Sequence, residues 1–259
     1  MIDLHSHILP GLDDGAVTLG DSRAIAEAAI ADGIRVIAAT PHVRAADYPT
    51  SPEQMEQLVD SLRRELREAA VPLELLPGGE IAFDMLPELG DDDLGRFGLG
   101  GNPNYLLLET PYFGWPLELE DTFFQLQLRG FTPVLAHPER NSEIQASPEH
   151  LAPLVERGTL VQLTAASLDG RLGRSPQKTA LRLLELGLAH LLASDAHAPT
   201  LRQIGMSAAA RELGDDALAG WLTEEVPAAI IADRGIPPRP ARSGRRFRRL
   251  SFRRYGSIR

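Results

Sequence analysis

The sequence predicts an α/β fold whose parallel sheet closes into a barrel-like domain, and three observations carry that expectation. About seven short apolar runs alternate with stretches of helical period. Those runs are continuously apolar, as in strands buried on both faces of a sheet. No second composition boundary precedes residue 234, and 259 residues is a length at which an α/β barrel still forms one domain. A doubly wound open sheet is the alternative.

The elements follow in order. Residues 1–15, MIDLHSHILPGLDDG, open with an apolar run that carries His5 and His7 and then turn through Leu-Pro-Gly-Leu to Asp13 and Asp14. Residues 19–32 are alanine-rich with apolar positions at helical spacing, and Gly33 stops them. Residues 34–40 form a buried strand ending at Thr40-Pro41-His42. An amphipathic, charge-laced helix over 52–70 precedes a strand over 73–76, which runs into Pro77-Gly78-Gly79-Glu80. The run 105–108 delivers Glu109. A helix over 117–129 leads to the strand 133–136, which delivers His137. Helix, strand and helix follow at 148–157, 160–164 and 176–186. The strand 190–193 then delivers Ser194-Asp195-Ala196-His197, and helices over 201–213 and 217–233 close the folded part.

The metal-capable side chains fall at one kind of place. His5 with His7, His42, Glu80, Glu109, His137, and Asp195 with His197 each sit at or just after the end of a predicted strand. In a parallel barrel those ends open on one face, where active sites of such barrels are built. Positions i and i+2 of an extended chain face the same way, so His5 and His7 suit one ion. Imidazoles mixed with hard carboxylate oxygens suit a divalent transition metal better than calcium. Four or more histidines with three or four carboxylates exceed the needs of one ion, so two or three ions sharing carboxylates fit better. His150 and His190 lie away from these junctions and read as structural or surface residues.

Composition excludes several classes. The chain has no cysteine, which removes disulfides, thiolate zinc sites and a cysteine nucleophile. It has no Gly-x-Gly-x-x-Gly and no P-loop. No apolar stretch approaches the roughly 18 residues of a membrane span, and the first residues do not resemble a signal peptide, so a cytoplasmic protein is expected. Nine arginines and no acidic residue lie from Arg239 onward; subtracting them from the formal charge of −10 leaves −19 on the rest. Such an acidic body argues against nucleic acid as a ligand.

His-Ser-His-Ile-Leu-Pro-Gly-Leu-Asp-Asp-Gly, Thr-Pro-His, Gly-Gly-Glu-Ile, Leu-Glu, Ala-His-Pro-Glu-Arg and Ala-Ser-Asp-Ala-His resemble the ordered motifs of the PHP (polymerase and histidinol phosphatase) superfamily. The best match is its bacterial metal-dependent protein tyrosine phosphatase branch, associated with capsular and exopolysaccharide synthesis. The resemblance spans residues 1–233. It implies a distorted (β/α)7 barrel with three divalent ions, commonly manganese, with iron, cobalt or zinc as alternatives. By motif position, His5, His7, Glu80 and Asp195 would hold one ion, Glu80 bridging to a second held by Glu109 and His137. Asp14, His42 and His197 would hold the third. Asp13 is the weaker ligand candidate beside Asp14. Asp3, on the same strand face as His5, is a candidate to orient an imidazole.

The chemistry expected of such a site is attack on phosphorus by a hydroxide, since coordination lowers the pKa of water from about 15.7 to about 7. Charge on the phosphoryl oxygens calls for planar cations, and Arg140 and Arg202, which match arginines of that branch, are placed to supply them. The alternative for Arg140 is an ion pair with Glu139 or Glu143; for Arg202 it is a solvated helix position. His42 or His197 is available to protonate a leaving group. The expected substrate is a phosphotyrosine protein, in particular a bacterial tyrosine kinase of polysaccharide export. A small phosphomonoester such as histidinol phosphate is the alternative, and a metal-stabilised scaffolding subunit is a third. Residues 234–259, proline-rich and then arginine-rich with Phe247, Phe252 and Tyr255, read as a disordered basic tail; weak contact with anionic lipid is its functional alternative.

Overall fold

The computed structural model describes residues 1–199 and 204–241. Its β segments are β1 Ile2–Asp3, β2 Val36–Ala38, β3 His42–Val43, β4 Glu74–Leu76, β5 Glu80–Ala82, β6 Tyr105–Glu109, β7 Thr132–Leu135, β8 Leu160–Thr164 and β9 Leu191–Ala193. All pairings between them are parallel, in the orders β1-β2-β4 and β3-β5-β6-β7-β8-β9.

The two groups are parts of one ring. Val36 pairs with Glu74 and His42 with Glu80, so the register between the second and third strands is the same on both sides of the interruption. Pro41, which has no N–H to give, breaks one strand into β2 and β3, and Pro77-Gly78-Gly79 breaks the next into β4 and β5. The chain after β1 then bonds in both directions. Thr40 N–H donates to the Ser6 carbonyl at 2.9 Å, and on the other side Asp195 N–H donates to the His5 carbonyl at 2.8 Å and His7 N–H to the Ala196 carbonyl at 2.9 Å. A ring of seven strands closes there, which removes the open sheet from consideration.

Helices cover the ring because their apolar stripes need it. Pro52–Glu68 starts on a capping box in which Ser51 accepts from Gln54 N–H and Gln54 reaches back, with proline at the first helical position. It buries Met55, Val59, Leu62 and Leu66, one face of a 3.6-residue period, each contributing about 2 kcal/mol. Leu19–Ala31 begins on the same device from Thr18 and Asp21. β6 and β8 are buried at every position, as their uninterrupted apolar runs require. Among the described residues no helix is long and apolar enough to cross a membrane.

One expectation needs correction. The tail expected from residue 234 is packed as far as Arg239. Trp221 Nε1–H donates to the Pro237 carbonyl at 3.0 Å, the Arg239 guanidinium donates to the Leu184 carbonyl at 2.7 Å, and Ile236 packs on the core. Residues 242–259, which carry the remaining basic stretch, lie outside the described residues.

His190 is structural, as read from its place at a strand start. Its Nδ1 accepts the Val161 N–H at 3.1 Å, and burial, reinforced by Arg239, lowers its pKa to about 4. A depressed folded-state pKa contributes stability that is present above pH about 6.5 and lost as pH falls through 4. Between pH 7 and pH 5 this one group should remove about 2 kcal/mol of folding stability. Denaturant titrations at the two pH values should show a smaller loss for His190→Gln, which keeps an acceptor. Equal losses in the two proteins would refute it.

Candidate metal centre

The strand ends bring His5 and His7 together with their Nε2 atoms 3.3 Å apart. His5 Nδ1 lies 3.1 Å from Gln162 Oε1, an oxygen that also accepts the His137 N–H at 3.2 Å. His7 Nδ1 lies 2.7 Å from Asp13 Oδ2. Because both partners only accept, the protons belong on Nδ1, and each Nε2 presents a bare lone pair. Into the same space point Glu80 Oε2, 3.4 Å from each Nε2, and Asp195 Oδ1, 3.4 Å from His5 and 3.2 Å from His7. All four side chains are buried. Four lone-pair atoms facing one another at this range repel unless a cation lies among them, so the donor set fits a metal ion.

Two further clusters share members with the first. His42 Nδ1 lies 2.8 Å from Glu80 Oε2 and 3.8 Å from Glu109 Oε2, yet neither His42 Nδ1 nor Glu80 Oε2 makes a hydrogen bond. His137 Nε2 stands 2.8 Å from Glu80 Oε1 and 3.9 Å from Glu109 Oε1. On the other flank Asp14 Oδ1 lies 3.5 Å from His42 Nε2 and 3.4 Å from His197 Nε2. Among the described residues three groups thus offer ligand atoms within 4.8 Å of one another: His5, His7 and Glu80; His42, Glu80 and Glu109; and His7, Asp14, His42 and His197. Every metal-ligand candidate named from the sequence except Asp13 reaches this cluster. His42 and His7 each belong to two groups, where the motif reading placed each in one.

Without a cation the same groups hold protons. Burial opposes charging His7, but hydrogen bonds to Asp13 and Asp195 and the charge of Glu80 outweigh it and raise its pKa well above the usual value. Burial also opposes ionising Glu80 and Asp195; the His5 charge, the hydrogen bond from His137 and the adjacent His42 imidazole nonetheless drive Glu80 far down, and the Arg140 and His5 charges do the same to Asp195. Metal and proton therefore compete for one site. His197 differs: burial and the neighbouring His7 lower its pKa.

Local backbone conformation aims these groups. His137 and Asp195 adopt φ of 30° and 54°, a left-handed conformation uncommon outside glycine and concentrated at functional sites. Gly15 permits the Asp13-Asp14 loop to fold onto the first strand: a Cβ there would lie 2.1 Å from the His7 carbonyl oxygen and 2.4 Å from His7 Cβ. Gly15→Ala must push the loop off His7 and misplace Asp13 and Asp14. Metal affinity measured by titration should fall about 10- to 100-fold; unchanged affinity would show that the loop does not orient the ligands.

Several predicted roles change. Asp13 orients His7 and also accepts the His42 N–H at 3.0 Å. Asp3 touches no imidazole ring; it accepts Ser194 N–H at 3.0 Å and Ser194 Oγ–H at 2.5 Å, tying the first strand to the last, and burial raises its pKa to about 6. Arg140 pairs with neither Glu139 nor Glu143 but with Asp195, and it also donates to Thr164 Oγ1 at 3.1 Å. Arg202 lies outside the described residues. Arg44, not foreseen, makes two hydrogen bonds to Glu109 Oε2. Tyr48 and Tyr112, also unforeseen, lie over His42 and His137. His150 is exposed and remote.

The chain is similar to known proteins over most of its length. A family model for capsular polysaccharide synthesis proteins, CpsB/CapC, matches residues 1–221. The tyrosine-protein phosphatase YwqE of Bacillus subtilis is 39% identical over 255 residues, covering 95% of this chain and 99% of that protein. The putative tyrosine-protein phosphatase CapC of Staphylococcus aureus is 34% identical over 203 residues, 78% of this chain and 79% of its own. A solved chain from the crystal structures of YwqE and of CpsB from Streptococcus pneumoniae, described as unique metal-dependent tyrosine phosphatases, superposes with a TM-score of 0.82 at 37% identity, covering 93% of this chain and 100% of that one. A β-aspartyl dipeptidase from Fervidobacterium islandicum, 14% identical with a TM-score of 0.55 over 89% of this chain and 74% of its own, shares the fold alone.

Proposed function

The chain belongs to the CpsB/CapC family of capsular polysaccharide synthesis proteins, and we propose that it is a metal-dependent phosphatase that hydrolyses phosphotyrosine at the strand-end cluster. The observation that carries this reading is the facing pair of His5 and His7 Nε2 lone pairs with Glu80 and Asp195 pointed between them. Three ions fit the three groups. His5, His7, Glu80 and Asp195 would hold one; Glu80, Glu109, His137 and His42 border a second; and Asp14, His42, His197 and His7 border a third. Imidazole and carboxylate donors accept manganese, iron, cobalt or zinc, and we assign manganese. When bound, such ions activate water and neutralise phosphoryl charge.

The protein's own groups supply the rest. Arg140 stands beside Asp195 and Arg44 beside Glu109, two guanidiniums at the edge of the cluster, each able to hold phosphoryl oxygens in a planar fork. Arg202 is the third candidate cation. A lowered pKa keeps His197 neutral at pH 7, a state that ligates but does not donate a proton; with His42 turned to Glu80 and Asp14, both fit ligands better than acids. A tyrosyl leaving group, with a pKa of about 10, departs with little acid help. The substrate in this reading is a tyrosine kinase of capsule synthesis, met in the cytoplasm.

Hydrolysis of a phosphotyrosine peptide with added Mn²⁺ tests the reading. Activity should vanish after exhaustive chelation, return with metal, and exceed that on histidinol phosphate in kcat/KM. Metal-independent hydrolysis would refute it, and the reverse preference would favour the small-phosphomonoester alternative.

A further inference from the structure

The mouth of the cluster carries two aromatic rings that the core does not need. Tyr48 stacks on His42, centroids 5.6 Å apart and planes 17° apart. Tyr112, 44% exposed, lies over His137 at 6.1 Å and 31°. His42 and His137 contact the two different oxygens of Glu80, so each ring stands over an imidazole that borders the middle of the site. Arg140 Nη1 reaches the Tyr112 hydroxyl at 3.5 Å.

Both rings sit on pinned loops. Arg44 and Tyr48 exchange backbone hydrogen bonds of 2.9 and 3.2 Å, and Thr50 Oγ1 donates to the His42 carbonyl at 2.8 Å. On the other side the buried Asn141 donates to the carbonyls of Pro111 and Gly114 at 2.6 and 2.8 Å, and Ser142 N–H donates to the Tyr112 carbonyl at 2.9 Å. A loop held this firmly presents its exposed ring in one place, so little ordering is lost when a ligand meets it. Phe113, 84% exposed, continues the apolar rim outward.

We propose that Tyr48 and Tyr112 form an aromatic clamp on the substrate's phenyl ring and thereby set the selectivity of the site for aryl over alkyl phosphomonoesters. Rings flanking a planar ligand gain offset-stacked or edge-to-face contacts that an alkyl chain does not offer. The inference rests on the phosphatase reading for its reaction but stands on ring geometry for its selectivity.

The test separates ring recognition from leaving-group chemistry. Phenyl phosphate is compared with a fluorinated alkyl phosphate whose leaving alcohol matches a phenol in acidity. Binding of phenylphosphonate and of methylphosphonate to the Mn²⁺-loaded protein is measured by calorimetry alongside. Tyr48→Ala and Tyr112→Ala should each lower kcat/KM for the aryl ester about tenfold, mainly through KM, and weaken phenylphosphonate by a similar factor, with clearly smaller losses for the alkyl ligands because Tyr112 also touches Arg140 and Tyr48 touches His42. Tyr48→Phe and Tyr112→Phe should retain the aryl preference. Equal losses for aryl and alkyl ligands, or none for either, overturn the clamp. Should the wild-type protein cleave neither ester, the phosphatase reading falls, and the phosphonate comparison still decides the clamp.

Discussion

Glu80→Gln is expected to lower phosphatase activity at least about a thousandfold, about 4 kcal/mol in the barrier, and to reduce the number of ions bound. The reason is position. Glu80 joins the first two groups of the cluster: its two oxygens lie 2.8 Å from His42 and from His137, and one is also 3.4 Å from His5 and from His7. The amide keeps the volume, so no cavity opens, and its NH₂ can donate to imidazole lone pairs that otherwise face a carboxylate. The metal-free variant should therefore fold. What it loses is the negative charge that the carboxylate sets among these imidazoles. Ligand-linked stabilisation gives a second readout, since an ion at 100 times its dissociation constant adds about 2.7 kcal/mol to the folded state. The thermal midpoint of the wild-type protein should rise with Mn²⁺, and that of Glu80→Gln should rise much less. Full metal content with activity within tenfold of wild type would show that Glu80 is not the bridge.

Why this centre was legible in the sequence follows from the same geometry. His5, His7, His42, Glu80, Glu109, His137, Asp195 and His197 each follow an apolar run, and a parallel ring gathers strand ends without regard to their distance along the chain. Ligand chemistry belongs to residue type, so it survives ignorance of distances. Roles that depend on distance did not show. Asp3 shares a face with His5, but its short side chain reaches Ser194 and no imidazole. Arg44 has no pattern around it, and its importance comes from Glu109, 65 positions away, which neighbouring strands bring beside it. The proline-rich composition of 234–241 reads as part of a disordered tail because composition carries no record of the Trp221 side chain that Pro237 and Arg239 pack against. The breaks at Pro41 and at Pro77-Gly78-Gly79 were visible as strand ends, but not the shared register across them, which makes each pair of segments one strand.

Arg140→Ala should separate catalysis from metal binding. The guanidinium is largely buried, its side chain 18% exposed, between Asp195, Thr164 and Tyr112, and it contributes charge to the site without ligating anything. Removing one fixed donor from the position where transition-state charge collects costs about 100- to 1,000-fold, about 2.7–4 kcal/mol. Asp195 changes as well: burial favours its neutral form and the Arg140 charge is the strongest opposing influence, so its pKa should rise in the variant and the acid limb of the rate profile should move to higher pH. At pH 8 Asp195 remains ionised and metal content should match wild type, with kcat still depressed. Arg140→Lys restores the charge but not the planar fork, and should recover the metal behaviour and pH limb more fully than the rate. Loss of metal in parallel with activity would mean that Arg140 holds Asp195 in place for the ion, whereas activity within about threefold of wild type would remove it from the phosphoryl site.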